Sequence, residues 1–146
     1  MERRKVVADA SVVVKWFVEE EYSGEARLLR DAYVDGLIEL LEPSLLSYEV
    51  LNALKHSGAF GEDELKEVAT ALNDFQFTIF NLEGEFAEKA VEVAMRRGVA
   101  IYDASYVALA QIANAEMFTA DEKLLRKVRR YGLVKHVMEF NTLTQD

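Results

Sequence analysis

Cysteine is absent from this 146-residue chain, which excludes disulfides, zinc–thiolate sites and cysteine nucleophiles. Histidine is scarce: His56 and His136 stand far apart, which argues against a histidine-rich metal site. There is one proline, Pro43, and no low-complexity segment, internal repeat or linker. No run approaches the roughly 18 consecutive apolar residues that a membrane helix needs. The basic start MERRKVVAD is followed by too short an apolar run for a signal peptide, so no membrane partner and cytoplasmic residence are expected. Positive charge is also in deficit, with a formal net charge of −9. Phosphate contacts need cations, so this balance opposes a nucleic-acid partner unless bound cations offset it locally.

What is present reads as one domain spanning residues 1–146. The chain is 51% hydrophobic and 29% charged. A domain of this size buries roughly 68–70% of its unfolded surface, enough to fold without a structural metal. The short β-branched run RKVVA predicts a buried strand, and VVVKWFVEE from Ser11 a helix of two turns. YSGEARLLRDAYVDG has helical spacing and stops at Gly36, and LIELLEP is a strand ended by Pro43. SLLSYEVLNALKHSG predicts a helix capped by Ser44 and stopped by Gly58. GEDELKEVATALNDF, acidic at its start, is a further helix. FTIFNL and EMFTAD predict strands, EGEFAEKAVEVAMRRG and EKLLRKVRRYG helices, and KHVMEF a last strand. Between them VAIYDASYVALAQIANA gives a short apolar lead-in and then a helix. Strand and helix alternate almost throughout. The expected fold is therefore α/β, a three-layer α/β/α sandwich around a mostly parallel sheet. In such sheets ligands bind beyond the carboxyl ends of the strands.

Three acids stand where a strand is expected to hand over to a helix: Asp9, Asp103 and Asp121. Each alone reads as an ordinary N-cap. Together, at one sheet edge, they suggest a site. Glu49 differs, lying inside a helix among Leu45, Leu46, Asn52 and Ala53, so it should project from a largely apolar face. A buried glutamate needs a partner: a structural ion pair supplies one, and so does a metal ion. Two carboxylates about 4 Å apart repel by about 4 kcal/mol at an effective dielectric of 20. Four converging acids are then either partly protonated or gathered around a divalent cation, and an all-oxygen donor set suits Mg²⁺ or Mn²⁺.

Four motifs, DAS at 9–11, the helical Glu49, YDASYVALA from 102 and TADEKLL from 119, resemble the PIN-domain nucleases, and within them the VapC-type toxins. The resemblance covers nearly the whole chain. It implies that Asp9, Glu49, Asp103 and Asp121 form a Mg²⁺ or Mn²⁺ site that hydrolyses RNA phosphodiesters, with Asp9 and Asp103 the foremost direct ligands. It implies supporting roles for the hydroxyls of Ser11 and Thr119, whose plain alternative is capping. It further implies RNA as substrate, a homodimer, and a small antitoxin partner. The segments 44–57 and 62–75 are candidate dimer surfaces. Cations for the rest of an RNA strand are available at Lys123, Arg126, Lys127, Arg129 and Arg130, and at Lys15, although for any single residue of the first group a solvated helix face with favourable C-terminal charges is the plainer reading. Trp16 and Phe17 read as core rather than as stacking platforms.

Other chemistries fit less well. Phosphatases with an aspartyl nucleophile want a second acid two residues after the first, where Ser11 stands. Receiver-type domains want an acid pair at the end of the first strand, where Asp9 is alone. A non-toxin processing nuclease remains open, as does a non-catalytic RNA- or protein-binding module, although four retained acids weigh against the latter.

Overall fold

A computed structural model describes residues 3–142. Its five strands form one parallel sheet in the order β3-β2-β1-β4-β5. They are β1 (Arg4–Ala8), β2 (Ile38–Pro43), β3 (Thr78–Phe80), β4 (Glu116–Thr119) and β5 (Val134–His136). The helices are α1 (Ala10–Val13), extended by a 3₁₀ turn over Val14–Trp16, then α2 (Ser23–Val34), α3 (Leu46–Ser57), α4 (Glu62–Asp74), α5 (Gly84–Arg97), α6 (Ile101–Ala113) and α7 (Glu122–Val128). Parallel strands need crossover helices, which cover the sheet and give the α/β/α layering. No helix among the described residues is long and apolar enough to cross a membrane.

Burial explains why β1 lies at the centre. Val6, Val7 and Ala8 are fully buried, as a strand covered on both faces requires. The most buried helix is α6, where every residue from Ala104 to Ala110 is buried, so it reads as apolar all round rather than as a stripe. Trp16 belongs to the core, as expected: its indole Nε1 donates to the Ala26 carbonyl at 2.8 Å and its ring meets Phe75 edge-on at 5.1 Å. Phe17 is half-buried against the same core. Gly36, Gly58, Gly98 and Gly132 all have positive φ just past a helical segment, the conformation that made glycine the stop signal.

Three local expectations are corrected. Ser44 does not cap α3. Its backbone N–H donates to the Phe80 carbonyl at 2.9 Å, which keeps Ser44 in the β2–β3 ladder, and the helix begins two residues later without a side-chain cap. The last strand stops at His136, where KHVMEF predicts extension to Phe140. His136 Nδ1 accepts from Met138 N and Glu139 Oε2 accepts from His136 N, both at 3.0 Å, and these local bonds close a 3₁₀ turn. Finally, no strand precedes Asp103. The lead-in VAIY is the end of a short connection and the opening of α6, so Asp103 sits in a helix's first turn rather than at a strand end.

The sheet order positions the site. From β1 the chain proceeds first outward to β2 and β3, then returns to the other side for β4 and β5. The order reverses between β1 and β4, and the crevice beyond their carboxyl ends is the expected ligand position. Asp9 follows β1, Thr119 closes β4, and Asp121 stands two residues on, at the start of α7.

Candidate active site

Two strand ends are tied to each other by hydroxyls. Asp9 caps α1: its Oδ1 accepts from Val12 N at 3.3 Å and from Ser11 Oγ at 2.5 Å. Ser11 Oγ in turn accepts from Ala120 N at 2.8 Å and lies 3.3 Å from Thr119 Oγ1. Thr119 Oγ1 accepts from Asp121 N at 3.0 Å, and Asp121 caps α7 by accepting from Leu124 N at 3.0 Å. Ser11 therefore takes up a backbone donor, one from the turn after β4 rather than from its own helix. The chain of bonds locks the β1 and β4 termini side by side, so Asp9 is presented on a rigid seat. Both aspartates are caps, and capping leaves each a second carboxylate oxygen.

Asp103 and Glu49 approach from two helices. Asp103, half-buried, comes from the first turn of α6. Glu49, also half-buried, comes from α3, and its Oε1 accepts from Tyr106 Oη at 2.7 Å. The partner that Glu49 needs is thus a tyrosine hydroxyl. Tyr106 lies one turn after Asp103 on α6, and in YDASYVALA it reads as one more core aromatic. Removing its hydroxyl with Tyr106→Phe should destabilise the protein by about 1–2 kcal/mol, because Glu49 loses a charge-assisted bond; urea unfolding at neutral pH measures it, and an unchanged midpoint would show the bond to be idle.

All four acids line one hollow of about 370 Å³, together with Ser11, Lys15, Glu20 and Tyr106. Thr119 lies just behind it, bonded to Ser11. As the side chains stand, no three acids among the described residues converge closely enough to hold an ion. The electrostatics are those of crowded, poorly hydrated carboxylates. Burial pushes Asp9 up to about 7, against the opposing bonds from Ser11, Thr119 and Val12, and Asp103 adds repulsion. Asp103 is raised by burial and then by Asp121, with Lys127 pulling the other way. Glu49 is raised by burial, partly offset by Tyr106, and Asp103 raises it further. The donor set is all oxygen, rich in carboxylates and free of cysteine and histidine. It fits a hard divalent cation, which would relieve these penalties.

The cations divide. Lys123 and Lys127 line a second hollow of about 280 Å³ that shares Asp103 and Asp121 with the first. Lys127 Nζ is held there by the Gly98 carbonyl at 3.3 Å. Arg126 is exposed on the same helix but lines neither hollow. Lys15 is largely buried in the wall of the acid hollow, and its Nζ donates to Glu20 at 3.1 Å. Glu20 is an unexpected member, reading as one of three acids in a surface run.

Glu42 has no counterpart in the sequence reading. It lies at the end of β2, fully buried, with Oε2 accepting from Ala8 N at 3.1 Å and Oε1 without a hydrogen-bond partner. Burial raises its pKa well above the ordinary value, and nearby Asp9 adds to the shift. In IELLEP it reads as a polar residue before a strand-ending proline. Only the pairing of β1 with β2 shows that it supports the backbone next to Asp9.

Residues 6–131 match the family model described as PIN domain. Ribonuclease VapC3 of Pyrobaculum aerophilum is 35% identical over 128 residues, 84% of this chain and 94% of that protein. Among solved structures, a toxin–antitoxin complex from Klebsiella pneumoniae matches with TM-score 0.69 at 19% identity, covering 92% of this chain and 99% of that one. A Pyrobaculum aerophilum protein, PAE2754, matches with TM-score 0.63 at 25% identity, covering 92% and 90%. VapC20 of Mycobacterium tuberculosis, described as a toxin cleaving the sarcin–ricin loop, matches with TM-score 0.64 at 12% identity, covering 84% and 95%.

Proposed function

The chain belongs to the PIN-domain family, in its VapC-type branch, and from that premise we propose that it is a metal-dependent endoribonuclease, the toxin of a toxin–antitoxin pair. The observation that carries this reading is the lining of a single hollow by Asp9, Glu49, Asp103 and Asp121 at the crevice between β1 and β4. The chemistry is hydrolysis of an RNA phosphodiester. Bound Mg²⁺ or Mn²⁺ supplies an acidified water and polarises a phosphate oxygen. Asp9 and Asp103 are the proposed direct ligands, and Asp121 and Glu49 complete the set directly or through water. Ser11 and Thr119 hold Asp9 and the β4 turn in register, as supporting groups do around metal ligands. Tyr106 fixes Glu49. No protein nucleophile is needed, and the chain offers no serine–histidine pair at the hollow.

The charge balance follows from the same reading. Net charge is −9, yet the acids concentrate where cations bind, and Lys123 and Lys127 stand ready beside them for a neighbouring phosphate. Lys15, tied to Glu20 in the wall, reaches the substrate only if that pair opens. A small antitoxin and a homodimer complete the proposed assembly; that the Klebsiella neighbour is a toxin–antitoxin complex supports an antitoxin partner.

Incubation of the purified protein with RNA, with and without Mn²⁺, beside Asp103→Asn, tests the reading. Cleavage is expected only in the wild type and only with the cation. Equal cleavage by both proteins would mark a contaminating nuclease, and no cleavage by the wild type with Mn²⁺ would overturn the reading.

A further inference from the structure

Two tyrosines beside the acid hollow are largely exposed, one of them in the segment 44–57 that is also a candidate dimer surface. Tyr48, in the first turn of α3, is 78% exposed, and Tyr102, the second residue of α6, is 64% exposed. Neither ring joins an aromatic pair and neither hydroxyl is hydrogen-bonded among the described residues. With Leu45, Glu49 and Asn52 they line a groove of about 670 Å³. Glu49 is a wall of both this groove and the acid hollow, so the two spaces adjoin. The Asn52 amide is exposed and has no partner among the described residues.

The acid hollow therefore lies between two unlike neighbours. On the Asp103–Asp121 side are the cations Lys123 and Lys127. On the Glu49 side is a groove with two free aromatic faces, one carboxylate and no cation. A phosphate entering that groove meets repulsion. A nucleobase, which is neutral, flat and polar at its edge, meets two stacking surfaces and an amide that can both donate and accept.

We propose that the Tyr48–Tyr102 groove is a nucleobase subsite. It receives the base flanking the phosphate held at the acids, stacked on the tyrosine rings, with Asn52 pairing to the base edge. The strand then runs from Lys123 and Lys127, across the acids, into the aromatic groove. This rests on the ribonuclease reading, so binding and cleavage are measured separately.

The binding arm uses a short fluorescein-labelled single-stranded RNA and Mg²⁺, with Asp103→Asn as the background to prevent hydrolysis. Tyr48→Ala and Tyr102→Ala should each weaken binding about tenfold, the usual cost of one lost stacking contact. Tyr48→Phe and Tyr102→Phe keep the ring and should bind like the background protein. An RNA lacking the base at the flanking position should bind the background protein more weakly by about tenfold to hundredfold, as one or both stacks are lost, and lose nothing more on the alanine variants. Unchanged binding by both alanine variants overturns the subsite, and continued cleavage by the wild type would leave the ribonuclease reading standing. No cleavage by the wild type, with base-dependent binding intact, sinks the ribonuclease reading and keeps the subsite. If the alanine pair instead converts a dimer to a monomer in light scattering, and the abasic RNA binds as well as the intact one, the groove's occupant is a second copy of the chain and the proposal fails.

Discussion

Asp9→Asn is expected to inactivate the protein and, without divalent cation, to stabilise it. Asp9 is only 5% exposed, and burial raises it from the ordinary 3.8 to about 7. The fold thus prefers the neutral carboxyl. A group raised in this way contributes stability that is fully present below about pH 4 and is lost as pH climbs to about 7, where the folded carboxyl ionises. The gap amounts to about 4 kcal/mol above pH 7. Asparagine cannot ionise, and its carbonyl oxygen can still accept from Val12 N and Ser11 Oγ. The variant should therefore melt with the wild type at pH 4 and above it at pH 8 in EDTA, by roughly 2–4 °C for each kcal/mol recovered. Millimolar Mn²⁺ should close the gap by raising the wild type alone, because binding to the native state adds stability only where a site exists. RNA cleavage by Asp9→Asn should fall on the order of hundredfold or more, since a neutral amide is a poor ligand for a hard cation. Thermal melts at the two pH values decide the matter. Coincident curves at pH 8 would mean that Asp9 is already ionised and paired in the cation-free protein.

Stability and activity opposing each other at one residue explains what was legible in the sequence. Asp9 and Asp121 stand out because a short apolar strand, an acid and a helix follow in immediate succession, and capping and ligation both favour an acid there. Glu49 stands out because a charge on an apolar helix face has no local excuse. The alternation of strands and helices is equally local, and all five strands are found where expected, give or take their ends. The residues that escaped notice depend on contacts distant in sequence. Tyr106 meets Glu49 across 57 positions, and Glu42 meets Ala8 across 34. Nothing near either residue distinguishes it from an ordinary core aromatic or a strand-end acid. The strand order, which brings β4 beside β1, is of the same kind. Asp103 stands out by the same strand-end logic, and there the logic picks the right residue for the wrong reason: its setting is the first turn of a helix entered from another helix. Ser44 and the end of β5 failed for a smaller reason: a ladder bond to Phe80 and a local turn around His136 each outweighed a propensity worth about 1 kcal/mol or less.

Glu42 gives the second large effect, and its two substitutions should part company. Its carboxyl is fully buried, bonded to Ala8 N through one oxygen, with the other oxygen unpartnered among the described residues. A charge in that position has too little compensation, and burial rather than any ion pair raises the carboxyl well above its ordinary value. Beyond Val6↔Leu40 the β1–β2 pairing gives way, and the Ala8 N–H depends on this side chain in place of a backbone carbonyl. Glu42→Gln keeps the accepting oxygen and the volume, and it mimics the protonated acid; at pH 7 it should unfold within about 1 kcal/mol of wild type. The wild type has a raised carboxyl, so it must lose stability as pH rises through the folded pKa, and the glutamine variant should be the more stable protein on the alkaline side. Glu42→Ala removes the acceptor and opens a cavity directly under the residue that precedes Asp9. It should cost about 3–5 kcal/mol, by the cavity left and the orphaned backbone donor together. Urea unfolding of the three proteins at pH 7 and pH 9 measures both differences. A glutamine variant several kcal/mol less stable than wild type at pH 7 would mean that Glu42 is ionised and that its unpartnered oxygen has found a cation. The ion expected at Asp9 would then be drawn deeper into the fold than the hollow itself.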